Sequence, residues 1–210
     1  MISSDLVPEL PLLLASKSTA RQRLLTDLGY RFEAIDSNVD EAETKRALIA
    51  QQATGAQVAE TLAELKAQKI SRLHLNSLVI GADQVLSCGN VLFDKPTDMD
   101  HAKAQLMALA GKEHRLESTV CLVFNGDRLW HHNEAAVLKM RALTMSDIDR
   151  YLTFLGDAAL ESVGCYRIEK EGAYLLEKIT GDPYVIQGMP LIPLVRQLSL
   201  LGQVPLESIA

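Results

Sequence analysis

The sequence predicts an α/β protein, with a mixed, twisted sheet flanked by helices. Two observations carry this. Short apolar runs alternate with helix-like segments along all 210 residues, as expected for strands joined by crossover helices. Asn125-Gly126 separates two strand-like runs and is a strong hairpin signal, so antiparallel pairing joins crossover pairing in one sheet. No repeat and no Gly/Ser/Pro-rich linker divides the chain. Residues 1–210 therefore read as a single domain, with 1–9 a loose tail.

The elements follow in order. Leu10–Ala15 reads as a buried strand, Arg21–Leu28 as a helix capped by Ser18 or Thr19 and closed by Gly29. Tyr30–Ile35 reads as a second strand. The Ala-, Gln-, Glu- and Leu-rich stretch 43–73 reads as two helices broken at Gly55. Ser77–Ala82 is an apolar strand ending at Asp83-Gln84, and Asp98–Ala110 a helix closed by Gly111. Leu116–Phe124 and Arg128–Lys139 form the hairpin. Thr144–Leu155 is helical, Tyr174–Ile179 a strand and Pro190–Leu201 the final helix.

Composition excludes several functions. Asp and Glu number 27 against 21 Lys and Arg, a net charge of −6. A general nucleic-acid binder needs a basic surface to neutralise phosphates, so no nucleic-acid partner is expected. No apolar run approaches the roughly 20 residues that span a bilayer, and Met1–Pro8 lacks a basic n-region; a membrane partner is not expected and the reading is cytoplasmic. Cys88, Cys121 and Cys165 are odd in number and far apart, so they read as free thiols rather than a disulfide framework or zinc site. His131-His132 would point to opposite faces of a strand and cannot ligate one metal as a pair. Walker, dinucleotide-binding, zincin and nucleophile-elbow fingerprints are all absent.

Four groups of residues can carry chemistry. Ser16, Ser18 and Arg21 lie where a strand feeds a helix N-terminus, and with its unsatisfied N–H groups they suit a phosphate. The ordinary alternative is helix capping, with Arg21 and Arg23 solvated. Val39-Asp40-Glu41 places acids after a strand, and Leu78–Ala82 delivers Asp83 at a strand's carboxyl end, where ligands of open α/β sheets bind. Glu41 and Asp83 together suit Mg²⁺, which takes oxygen ligands and shares them with phosphates; Glu41 alone reads as a solvated acid. Lys66 in a helix and Lys95 in a loop each read alone as a surface lysine. With Arg21 and the two carboxylates they make a parts list for phosphoryl transfer.

Taken in order, these segments resemble the Maf family of nucleotide pyrophosphatases. The matching pieces are Leu14–Arg21 with Leu24-Leu25, Val39-Asp40-Glu41, Lys66-Ala67, Gly81–Gln84, Asp94-Lys95-Pro96, Leu109–His114 and Gly188–Leu191. The resemblance implies the ITPase-like fold, a homodimer, and hydrolysis of a nucleoside triphosphate to monophosphate and pyrophosphate with Mg²⁺ or Mn²⁺. It implies Asp83 as proton acceptor, Glu41 with Asp83 at the metal, and Ser16, Ser18, Arg21, Lys66 and Lys95 on the triphosphate. Ala20, Gln84 and Glu169 match the positions with which the family selects the base. Gly-Cys-Tyr-Arg-Ile-Glu (164–169) replaces the Gly-Ala-Tyr-Gly-Ile-Gln of the dTTP/UTP branch, and Gln84 its Thr. Gln84 and Glu169 resemble the branch acting on 7-methyl-GTP; Ala20 matches neither branch well. The alternatives are a dTTP/UTP pyrophosphatase and a non-catalytic nucleotide-binding regulator of septum formation.

Overall fold

The computed structural model describes residues 10–205; the expected tail at 1–9 lies outside them. Seven strands form one mixed sheet: β1 (Leu12–Leu14), β2 (Glu33–Ala34), β3 (Leu78–Cys88), β4 (Val91–Phe93), β5 (Glu113–Phe124), β6 (Asp127–Met140) and β7 (Leu176–Thr180). Their order is β2-β1-β3-β5-β6-β7, with β4 also paired to β3. β1 runs parallel to β2 and β3, whereas β3–β4 and β6–β7 are antiparallel. The helices are α1 (Thr19–Asp27), α2 (Glu41–Ala50), α3 (Gly55–Leu73), α4 (Met99–Leu109), α5 (Met145–Leu155), α6 (Pro183–Ile186) and α7 (Leu191–Leu200). The mixed sheet with flanking helices is the expected class.

The chain divides into two compact units. Among the described residues the first takes 10–83, 118–134 and 188–205; the second takes Gln84–Glu117 and Ala135–Gln187. The first unit has apolar clusters on both faces of its strands. Leu12, Leu14, Leu78, Ile80 and Ala82 pack with Leu24, Leu25 and Leu194 on one face. Leu13, Ala15, Val79 and Cys121 pack with Ala63, Ala67 and Ile70 of α3 on the other. The period of two along β1 and β3 sends alternate residues to opposite sides. In the second unit Leu86, Leu106, Leu109, Leu138, Ile148 and Tyr166 belong to a separate core.

Local signals explain most element ends. Ser18 caps α1, its side chain accepting from Arg21 N–H, and Gly29 adopts a φ of 78° just beyond it. Thr54 and Gln57 form a reciprocal capping box at α3, and Thr144 and Asp147 another at α5. Asn125 and Gly126 turn the β5–β6 hairpin with φ of 49° and 90°, both positive as a type I′ turn requires.

Several elements differ from expectation. Gly55 begins α3 rather than breaking a helix; the break is at Gln51–Thr54. The strand expected at Tyr30–Ile35 shrinks to Glu33–Ala34, because β2 is an edge strand with a single neighbour. The strand expected from Tyr174 begins at Leu176, after a 3-10 turn over Glu171–Leu175. The strand expected to stop at Ala82 runs to Cys88. Its second half is polar enough to read as loop, yet it pairs with β4, Leu86 opposite Phe93 and Cys88 opposite Val91. The turn between them uses Gly89 at φ 59°.

The second core holds a buried titratable pair. His114 is 1% exposed, and its Nε2 lies 2.6 Å from the Tyr166 hydroxyl. Burial pushes His114 down from 6.5 to about 4, against a raising contact with the Lys112 backbone. The folded value lies below the unfolded one, so this contribution is whole above pH 6.5 and is lost as pH falls towards 4. One proton across that gap is worth roughly 3 kcal/mol. His114→Gln is expected to flatten the fall of unfolding free energy between pH 6.5 and 4, read by denaturant melts. A wild-type slope retained in the variant would assign the acid sensitivity elsewhere.

Candidate active site

Three chain segments of the first unit meet at Lys66. The buried face of α3 recurs at Val58, Leu62, Lys66 and Ile70, so Lys66 occupies a core position on an apolar stripe. Its side chain is 8% exposed, with Nζ 2.6 Å from Asp83 Oδ1 and 2.8 Å from Glu41 Oε1. Burying an ammonium is costly unless it is paired, and two carboxylates supply the pairing. Asp83 Oδ1 is thereby committed to Lys66. Asp83 Oδ2 is buried without a hydrogen-bond partner.

Asp83 is the sixth of eleven residues of β3, which corrects the expectation of a carboxylate at a strand end. The physical reason is a change of neighbour. β1 pairs with β3 as far as Ile80, and β4 joins it only at Leu86. Asp83 therefore lies beyond the last residue of β1 while its own strand continues. The period of two places Val79, Gly81 and Asp83 on the α3 face. Gly81 lets α3 come close: a Cβ there would sit 2.2 Å from the Ala63 carbonyl oxygen and 2.7 Å from Ala67 Cβ. Such an approach brings the Lys66 side chain within reach of the strand.

Glu41 opens α2, whose N-cap Asp40 accepts from Glu43 N–H at 2.9 Å. The loop before it is tied down by Lys69 Nζ donating to Asn38 O at 2.6 Å and by the Lys17–Asp36 ion pair. Burial raises the Glu41 carboxyl, but Lys66, by charge and hydrogen bond, outweighs it with help from Lys45 and Arg21 and holds the group below the ordinary carboxylate range. The Glu41 side chain is 48% exposed, so the acid is solvated, as its sequence read alone, and ion-paired as well.

The strand–loop–helix at Ser16–Arg21 does both things its sequence allowed. Ser18 Oγ caps α1. Ser16 Oγ accepts from Ser18 N–H and from Arg21 NH1, both at 3.2 Å, and Arg21 Nε donates to Gly188 O at 2.8 Å. Gly188 has φ 97° and a Cβ there would lie 3.3 Å from the guanidinium, so the turn before α7 also packs against Arg21. Burial lowers Arg21, opposed by the charges of Asp83 and Glu41; it remains a cation. Ala20, half-buried, is the second residue of α1.

Gln84, Lys95 and Glu169 belong to the second unit. Gln84 Nε2 donates to Val185 O at 2.9 Å and Ile186 O at 3.0 Å, spending both amide hydrogens on the end of α6. Lys95 is exposed in the loop between β4 and α4, as its sequence read alone suggests. Glu169 is exposed in the turn following Cys165. His131 and His132 have separate partners, Glu60 and Glu134, and among the described residues no three His, Cys, Asp or Glu cluster as a metal site. No described helix is long and apolar enough to cross a membrane.

The comparisons with known proteins bear on this arrangement. The family model described as Maf-like protein matches residues 11–201. A nucleoside triphosphate pyrophosphatase of Paramagnetospirillum magneticum is 47% identical over 191 residues, covering 91% of this chain and 98% of that protein. A 7-methyl-GTP pyrophosphatase of Rhizobium johnstonii is 44% identical over 92% of this chain and 97% of its own length. Another 7-methyl-GTP pyrophosphatase, from Brucella suis, is 44% identical over 89% and 94%. All the motif segments that carried the resemblance lie inside the matched span, and the chain belongs to the Maf family.

Proposed function

We propose that this chain hydrolyses a nucleoside triphosphate between its α- and β-phosphates, releasing the monophosphate and pyrophosphate, with 7-methyl-GTP as substrate. The observation that carries the reading is the Lys66 clamp. It holds two carboxylates side by side and leaves Asp83 Oδ2 buried without a partner. A protein that only bound nucleotide has no need of a buried carboxylate oxygen kept for a proton or a cation. The named activities of the relatives support the same reaction.

The donor set suits a divalent cation, Mg²⁺ or Mn²⁺. Asp83 Oδ2 and the Glu41 carboxylate are hard oxygens, and with only two such groups a cation would draw its remaining ligands from water and phosphate. When bound, the cation supplies charge neutralisation as the phosphoanhydride breaks. The chain's own residues do the rest. Lys66 fixes Asp83 Oδ1, so Oδ2 is the atom that takes the proton of water attacking the α-phosphorus. Arg21, oriented by Ser16 and Gly188, and Lys95 offset charge growing on the phosphates. Ser16 and Ser18, at the N-terminus of α1, add hydroxyl and backbone N–H donors. The family resemblance alone supports a homodimer in the cytoplasm.

Base choice falls to Glu169, with Gln84 and Ala20 beside the same task. An ionised carboxylate only accepts hydrogen bonds. Guanine presents two adjacent donors, its N1–H and exocyclic amine, and N7 methylation adds positive charge that a carboxylate favours. Gln84 has committed its amide hydrogens to the end of α6. Uracil and thymine present one donor between two carbonyls, a poor match to acceptors.

Asp83→Asn is expected to lower kcat by roughly 10²–10⁴-fold while nucleotide binding survives; more than about a tenth of wild-type kcat would remove Asp83 as the proton acceptor. Lys66→Met takes the hydrogen-bonded cation from the buried Asp83 carboxylate, and the expected loss of stability is roughly 3–5 kcal/mol at neutral pH. Simultaneous Asp83→Asn should restore part of it; a double variant as unstable as Lys66→Met would show that the clamp is not what holds the lysine. Wild type is expected to prefer 7-methyl-GTP over dTTP and UTP in kcat/KM for pyrophosphate release. Glu169→Gln should narrow or reverse that preference. A wild type that prefers a pyrimidine, or a ratio unmoved by the substitution, removes Glu169 as the selector.

A further inference from the structure

The phosphate-binding role proposed above for Lys95 needs an exposed lysine on a loop to be held in place. The side chain that does so sits in the core beneath it. Gln105, on α4, is 4% exposed, an unusual place for an amide unless every polar atom has work. Its Nε2 donates to the backbone carbonyl of Asp94 at 2.8 Å, the peptide group immediately before Lys95. Its Oε1 faces the Cys165 thiol at 3.9 Å. Burial pushes that thiol up to about 12, so the sulfur keeps its one hydrogen, for which the Ala102 carbonyl at 3.7 Å and Oε1 are both acceptors. The amide's orientation is therefore fixed by the Asp94 carbonyl, which needs a donor at 2.8 Å.

A second grip lies one turn away on the same face of α4. His101 Nε2 is 3.2 Å from Gln105 Nε2, and its Nδ1 is 3.4 Å from the Thr97 hydroxyl. His101 Nδ1 accepts from the Thr97 backbone N–H at 3.4 Å, so the histidine holds the loop by its main chain. Thr97 Oγ1 donates to Asp98 Oδ2 at 2.9 Å. The loop is thus held on both sides of Lys95, at Asp94 and at Thr97, by one face of one helix. Pro96 between them is buried and has a locked φ.

We infer that Gln105 is a positioning residue for catalysis: its buried amide holds the Asp94 peptide and so sets where the Lys95 ammonium meets the nucleotide's phosphates. This rests on the phosphate-binding role of Lys95. The Cys165 contact ties the same amide to the segment that leads, four residues on, to Glu169. Loss of the amide would let the loop relax without touching substrate directly. The consequence is lost transition-state stabilisation through Lys95, and only through Lys95.

The test is a double-mutant cycle on the full chain, reading kcat/KM for pyrophosphate release from 7-methyl-GTP with Mg²⁺ in wild type, Lys95→Ala, Gln105→Leu and the double variant. Gln105→Leu is expected to cost about tenfold alone and less than about twofold in the Lys95→Ala background. Equal losses in both backgrounds mean a general structural effect and overturn the inference, as does a loss under about twofold in the wild-type background. If Lys95→Ala itself costs less than about twofold, the phosphate role of Lys95 has failed and the inference falls with it. A reduced Lys95→Ala with additive losses sinks the inference alone. Where Gln105→Leu melts below the assay temperature, Gln105→Glu runs through the same cycle. It keeps the shape but turns an acceptor towards the Asp94 carbonyl, and the same outcomes decide.

Discussion

The buried ammonium of Lys66 is the constraint around which the first unit is arranged. An unpaired charge at 6% exposure would cost several kcal/mol even after relaxation. The chain avoids this by bringing in a carboxylate from β3 and another from the start of α2. Meeting both distances sets hard conditions. α3 must lie against β3 closely enough for a lysine to reach the strand, which Gly81 permits by having no Cβ. The chain leaving β2 must return to α3 within a few residues, which Lys69 and Lys17 secure through Asn38 and Asp36. The apolar stripe of α3 on either side of Lys66 then packs around the Lys66–Asp83 pair, while the Glu41 carboxylate stays half exposed.

Stability alone does not explain such a cluster. An apolar side chain on the α3 stripe opposite an apolar residue on β3 would pack at least as well, and replacing buried ion pairs by hydrophobes is often neutral or stabilising. What the charged version adds is a carboxylate oxygen held within the protein with nothing of its own to bind. Asp83 Oδ2 cannot relax towards solvent, because Oδ1 is fixed by Lys66 and the strand is continuous on both sides. The same reasoning applies to Arg21, a half-buried cation whose guanidinium is fixed by Ser16 and Gly188 rather than left to sample solvent. Groups fixed in advance lose little freedom when a phosphate arrives, which is how preorganised charge lowers a barrier.

What could be read in the sequence follows from how local each signal is. Ser18, Gly29, Thr144 and Asn125-Gly126 act within a few residues of themselves, so the ends they mark stand close to where the structure has them. The second half of β3 was illegible because its order comes from a partner. Gln84, Ser87 and Cys88 do not look like a strand, and β4, only three residues long, is too short to betray itself. Tyr30–Ile35 failed in the opposite direction, since its apolar character serves the core at Tyr30 while an edge position leaves little pairing. At the site, Lys66 reads as a surface lysine beside its immediate neighbours in sequence, Glu64 and Leu65. The telling signal was its register: Val58, Leu62 and Ile70 recur every four residues, and Lys66 stands where the next apolar residue belongs. Gln105 escaped notice altogether, since a single Gln on a helix announces nothing until its backbone partner is known.

These features share one cause, the exchange of neighbours along β3. A strand paired with β1 through Ile80 and with β4 from Leu86 has an interval in which that edge is not committed to a ladder, and the acid is placed in that interval. In an open parallel sheet the corresponding position is the carboxyl end of a strand. Here β1 ends and β3 does not, so the carboxylate has the free strand edge of a strand end together with the rigidity of a strand interior. The next residue, Gln84, points to the opposite side by the period of two and fixes the end of α6. Two consecutive residues of one strand thus serve two different tasks, and shifting the register of β3 by a single residue would exchange them and leave Lys66 facing an amide.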